Sequence, residues 1–101
     1  MSFGLLDRDL VEITAVLGRF PEIESAKIFS LRAKGTERPG SDVDIALMGE
    51  GVGLGIVAKV HALLEDQSKM PYLFDIVDFT HLTHETLRDH IERVGVVIYQ
   101  K

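Results

Sequence analysis

Leu6, Leu10, Ile13 and Leu17 fall at i, i+4, i+7 and i+11, the spacing of one stripe on an amphipathic helix. Gly18 follows as a residue able to end it at C′. Beyond Phe20-Pro21, Ala26-Lys-Ile-Phe29 reads as a short strand, and residues 31–41 as a loop with one helical turn at Leu31 to Lys34. Val43 to Met48 predicts a second strand. Its alternation puts Val43, Ile45 and Leu47 on one face and Asp42, Asp44 and Ala46 on the other. Gly49 to Gly55 approaches the dinucleotide fingerprint but fails it, because positions 54 and 56 are Leu and Ile, and no Walker lysine follows. It reads instead as a permissive turn into a helix with Ile56, Val60, Leu63 and Leu64 on one face. Leu73 to Phe79 is a third strand. Thr83 is the expected cap of a last helix that turns Leu87, Ile91 and Val94 inward, before a closing strand over Gly95 to Tyr99.

The order α-β-loop-β-α-β-α-β predicts an α/β (α+β) fold. Its small mixed sheet would carry helices mainly on one face and leave the other open. The open face would present Asp42 and Asp44.

Composition narrows the setting. The 101 residues suit a single domain spanning 1–101, with 46% apolar and 27% charged residues, as in ordinary globular chains. No apolar run has membrane-spanning length, and MSFGLLDRDL lacks the pattern of a secretory signal. With no cysteine there is neither a disulfide framework nor a thiolate metal site, so a cytoplasmic protein is expected. A net charge of −5 argues against direct nucleic-acid binding. Arg32, Lys34 and Arg38 nevertheless concentrate positive charge in one loop, which suits a small anionic ligand.

Two residues apart on a strand, Asp42 and Asp44 project to one side with Cβ atoms roughly 6 to 7 Å apart. Carboxylates that close oppose each other's ionisation unless a cation neutralises them. Mg²⁺ favours carboxylate, water and phosphate oxygens, and paired ions clamp the attacking and leaving oxygens of a phosphoryl transfer. A third-strand carboxylate, Asp75 or Asp78, could complete such a site; alternation sends these two to opposite faces. The plainer reading of Gly-Ser-Asp-x-Asp is turn chemistry, with the acids facing water.

From Phe29 to Leu47, and again from Phe74 to Phe79, the chain resembles the minimal nucleotidyltransferases of the polymerase-beta-like superfamily. The family pattern runs Phe-Gly-Ser-Arg-x-x-Gly, then Ser-Asp-x-Asp, then a strand of the kind Val-Asp-Leu-Val-Asp. Phe29, Arg32, Gly35, Ser41, Asp42 and Asp44 stand in register with it, and Leu87 to Tyr99 is similar to the family's last helix and tail. The resemblance implies two Mg²⁺ ions held by Asp42, Asp44 and Asp75, with Asp78 as fallback for the third ligand. It implies a nucleoside triphosphate, ATP favoured, attacked at the α-phosphorus with release of pyrophosphate. Ser30, Leu31, Arg32, Arg38 and Ser41 are the implied nucleotide-binding positions.

One departure stands out. The family's Gly-Ser pair is replaced by Ser30-Leu31, so a hydroxyl that binds phosphate is missing at position 31. Losing one hydrogen bond to a charged group costs roughly 1.5–3 kcal/mol, or about ten- to a hundredfold in affinity. Arg32 and Arg38 could compensate as phosphate contacts. At 101 residues no added domain that holds an acceptor is expected, so the acceptor is expected from another polypeptide or a second copy. The resemblance implies a helical HEPN-type partner and an antitoxin role, with AMP transferred to the partner. The alternative is a degenerate binding module that masks its partner by contact alone. His81, His84 and His90 carry the weaker signal of surface histidines.

Overall fold

The computed structural model describes residues 7–29, 42–68, 70 and 72–101, excluding the side chain of Asp42. The expectations for Leu6, Ser30, Leu31, Arg32, Lys34, Arg38 and Ser41 lie outside the described residues. The elements are α1 (Asp7–Leu17), β1 (Ser25–Ile28), β2 (Asp42–Met48), α2 (Leu54–Glu65), β3 (Leu73–Asp78), α3 (Glu85–Val94) and β4 (Val96–Gln100). The strands form one mixed sheet in the order β3-β2-β1-β4. β2 is antiparallel to β1 and parallel to β3, and β4 is antiparallel to β1. No helix among the described residues is long and apolar enough to cross a membrane.

The larger core lies on one side of the sheet. Ala26, Ile28, Val43, Ile45, Leu47, Phe74 and Ile76 face it from the strands. Ile13, Val16 and Leu17 of α1 meet them there, with Val60 and Leu64 of α2. Helix α3 takes the opposite face. Its Ile91 joins Phe29, Ala46 and Phe79 in a second cluster, with Met48, Val77, Leu82 and Leu87 packed around it. Two helices thus share one face as expected, and the third covers part of the face that carries the acids. The closing segment adds to the chain's own sheet as an edge strand, with Val96 opposite Ile28.

Polar contacts tie the layers together. Asp9, almost wholly buried in the first turn of α1, accepts a 2.7 Å hydrogen bond from the Tyr72 hydroxyl. Glu65, at the end of α2, accepts the Phe74 N–H at the outer edge of β3 and also meets His61 at 3.0 Å. At the other edge, β4 leaves Val97 51% exposed. The expected cap of α3 moves by one residue. His84, not Thr83, is the N-cap, and its Nδ1 accepts the Leu87 N–H at 3.1 Å. An imidazole acceptor here does what a hydroxyl does elsewhere.

The turn after β2 is set by Gly49, which adopts φ +153° and donates its N–H to Thr80 Oγ1 at 2.7 Å. A Cβ there would collide with the backbone carbonyl of Glu22. We therefore expect Gly49→Ala to cost about 1–3 kcal/mol of stability. Gly55, exposed in the first turn of α2 with open space around it, should instead gain up to about 1 kcal/mol on substitution by Ala. Urea denaturation of the two variants checks both signs; equal effects would refute the assignment.

Candidate active site

Strand β2 lies between β1 and β3, and its inward residues are fixed by the core. Val43, Ile45 and Leu47 are fully buried on the α1–α2 side, so strand alternation sends Asp44 and Ala46 to the α3 side. The parallel register sets Asp44 directly opposite Asp75. Partners in register share a face, so the two carboxyl groups leave the sheet on the same side. Asp44 is half-buried and Asp75 exposed. Asp42 opens β2 opposite Leu73.

The two candidates for the third carboxylate differ in setting. Asp78 is opposite Leu47, a residue of the larger core, and its side chain turns into the following loop. There it accepts the His81 N–H at 3.3 Å and meets His81 Nδ1 at 2.8 Å. Asp75 stands beside Asp44 instead.

The hydrogen bond from Phe29 N to the Asp44 carbonyl, 2.9 Å, carries the β1–β2 pairing one step past Ile28. A row therefore crosses the acid-bearing face: Asp75 on β3, Asp44 on β2 and Phe29 at the end of β1. Helix α3 bounds this row. Arg88 holds the helix down, donating from Nη1 to the carbonyls of Phe79 (2.8 Å) and Leu82 (3.2 Å). Its guanidinium also lies 4.3 Å from the centre of the Phe79 ring. This anchor was not foreseen from the sequence; an arginine one residue after an inward leucine near the helix start is the only signal it leaves.

Among the described residues no group of three or more His, Asp and Glu side chains could hold a metal ion. Asp44 and Asp75, two hard oxygen donors facing the same way in register, nevertheless fit a divalent cation that completes its shell with water and phosphate oxygen. Asp42 is the remaining predicted ligand.

A family model described as polymerase beta, nucleotidyltransferase, matches residues 11–101. The chain belongs to this family. No curated protein sequence matches the chain. Among solved structures, the toxin–antitoxin MntA–HepT superimposes with a TM-score of 0.72 at 15% identity, covering 95% of this chain and 74% of that one. A crystal structure of the toxin–antitoxin with AMP-PNP gives a TM-score of 0.72 at 16% identity, covering 96% of this chain and 75% of that one. At such identities the likeness establishes the nucleotidyltransferase fold, consistent with the mixed sheet and the three helices of the described residues.

The contrast between the third-strand acids can be measured as stability. Asp78→Ala removes two contacts that fix the loop before α3, and should cost about 0.5–2 kcal/mol. Asp75→Ala, at an exposed position beside another carboxylate, should leave stability within about 0.5 kcal/mol of the parent. Denaturant midpoints decide; the reverse ranking would mean that Asp75 is the structural acid.

Proposed function

We propose that this protein is a Mg²⁺-dependent nucleotidyltransferase. It transfers a nucleoside monophosphate, AMP from ATP, to a hydroxyl of a helical HEPN-type partner and serves as the antitoxin of that pair. The observation that carries the reading is the in-register placement of Asp44 and Asp75 on the face bounded by α3. Membership of the nucleotidyltransferase family supports the reaction class. The likeness to MntA–HepT, and to a toxin–antitoxin with AMP-PNP, supports the partner and the nucleotide.

In this proposal Asp42, Asp44 and Asp75 hold the metal. Bound there, Mg²⁺ would neutralise charge on the triphosphate and polarise the α-phosphate. Asp75, the exposed acid, takes the proton from the acceptor hydroxyl. The acceptor oxygen then bonds to the α-phosphorus as the bond to the bridging oxygen breaks, and pyrophosphate leaves. Arg32, Arg38, Ser30 and Ser41 serve the phosphates. The acceptor comes from the partner, or from a second copy of the chain.

Thermal unfolding with ATP, with and without Mg²⁺, tests the nucleotide site. Ligand at a hundred times its Kd should stabilise the protein by about 2.7 kcal/mol. Asp44→Asn should fold normally and lose the Mg²⁺-dependent shift, together with nucleotide transfer to the partner. Transfer retained by Asp44→Asn would refute the assignment.

Ser30-Leu31 motivates a second reading, a binding module that neutralises its partner by contact alone. Replacing the pair with the family's residues, Ser30→Gly with Leu31→Ser, separates the two. If the natural protein transfers nothing and the double variant does, the natural protein works by contact. If the natural protein already transfers, it is an enzyme with a modified phosphate loop.

A further inference from the structure

The four histidines divide by what their rings do. His61 meets Glu65, His81 meets Asp78, and His84 caps α3 through the Leu87 N–H. The His90 ring makes an edge contact with Phe29, with centroids 6.3 Å apart and planes at 83°. Neither of its nitrogens bonds to a described residue, and the side chain is half-buried. An apolar contact thus orients the ring while its polar atoms stay available.

Its place on α3 gives those atoms a direction. Arg88 and His90 are two residues apart, about 200° around the helix. Arg88 anchors the flank that meets Phe79 and Leu82. His90 therefore leaves the other flank, over Phe29, and Phe29 is the cross-strand neighbour of Asp44. Such neighbours have Cβ atoms about 5 Å apart. The row across the face then reads Asp75, Asp44, Phe29, with an imidazole standing over its end. A ligand that meets the two acids through a cation and still reaches His90 must be extended and anionic. A triphosphate has that shape and the acceptor oxygens an imidazole N–H needs.

We propose that His90 contacts substrate at this site, donating a ring N–H to a phosphate oxygen of the bound nucleoside triphosphate. This rests on the nucleotidyltransferase reading above. Phe29 is then the platform that aims the ring, and the nitrogens supply the contact.

Titration calorimetry of the full chain with ATP and Mg²⁺ tests it, using three variants. His90→Phe keeps an aromatic edge against Phe29 and removes the donor. His90→Gln keeps a donor and loses the ring. His90→Ala loses both. We expect His90→Phe and His90→Ala to weaken ATP binding about ten- to a hundredfold, the loss of one hydrogen bond to a charged group. His90→Gln should fall between them and the parent. His90→Phe should also keep the parent's melting temperature without ligand. Unchanged ATP affinity in His90→Phe would overturn the proposal and leave His90 a packing residue. Weakened binding of AMP and ATP alike, with a lowered melting temperature, would also overturn it, since the fold rather than a phosphate would have been lost. If the parent itself does not bind ATP with Mg²⁺, the nucleotide reading fails first and the contact fails with it.

Discussion

Complete burial of Val43, Ile45 and Leu47 along one side of β2 is the constraint from which the rest follows. Side chains alternate along a strand, so a slip of one residue would drive Asp44 into the apolar layer between sheet and helices and turn the valine, isoleucine and leucine out. Burying an unpaired carboxylate is far more costly than any contact the slip could gain. The register of the whole sheet is locked by that difference. With β2 fixed, β3 brings Phe74 and Ile76 to the same layer, and Asp75 must emerge beside Asp44. Chemistry on one face is a by-product of packing on the other.

Where the sequence spoke through periodicity, it was legible. The α1 stripe, the alternation of β2 and the inward face of α2 needed only local spacing, and the mixed sheet followed from element order. Asp42 and Asp44 stood out because two acids at a strand start interrupt an apolar pattern. What local spacing does not contain is which strands become neighbours. The pairing of Asp44 with Asp75 depends on β2 and β3 being parallel and in one register, a contact across the whole α2 crossover. Arg88 and His90 were unreadable for a related reason, since their contacts with Phe79 and Phe29 are set by how α3 packs on the sheet and not by local spacing. The cap of α3 fell one residue from its expected place because histidine can accept an N–H as threonine does, a choice made by loop geometry. That α3 lies on the acid-bearing face was likewise hidden, because an amphipathic pattern shows that a helix has an inward side but not which layer it covers.

The family pattern and the structure meet on Phe29. In sequence it is the aromatic residue that precedes the altered Ser30-Leu31 pair. In the fold it is bonded through its backbone to Asp44 and through its ring to the small cluster with Ala46, Phe79 and Ile91. The residue before Ser30-Leu31 is therefore moored to a metal-binding candidate on one side and to α3 on the other. A change in the chemistry of the pair that follows does not require a change in where Phe29 stands.

The turn at Pro21 to Glu24 has its own significance. Glu22 crowds Gly49, Glu24 pairs with the end of β2 through the Met48 carbonyl, and Lys101 reaches back to the carbonyls of Pro21 and Glu24. Three distant parts of the chain are knotted at this pole of the sheet, while the acids occupy the other. Damage at the knot should act on how much folded protein a cell retains. Changes at the opposite pole should act on what each folded molecule can do. Natural variation could thus tune dosage and chemistry separately.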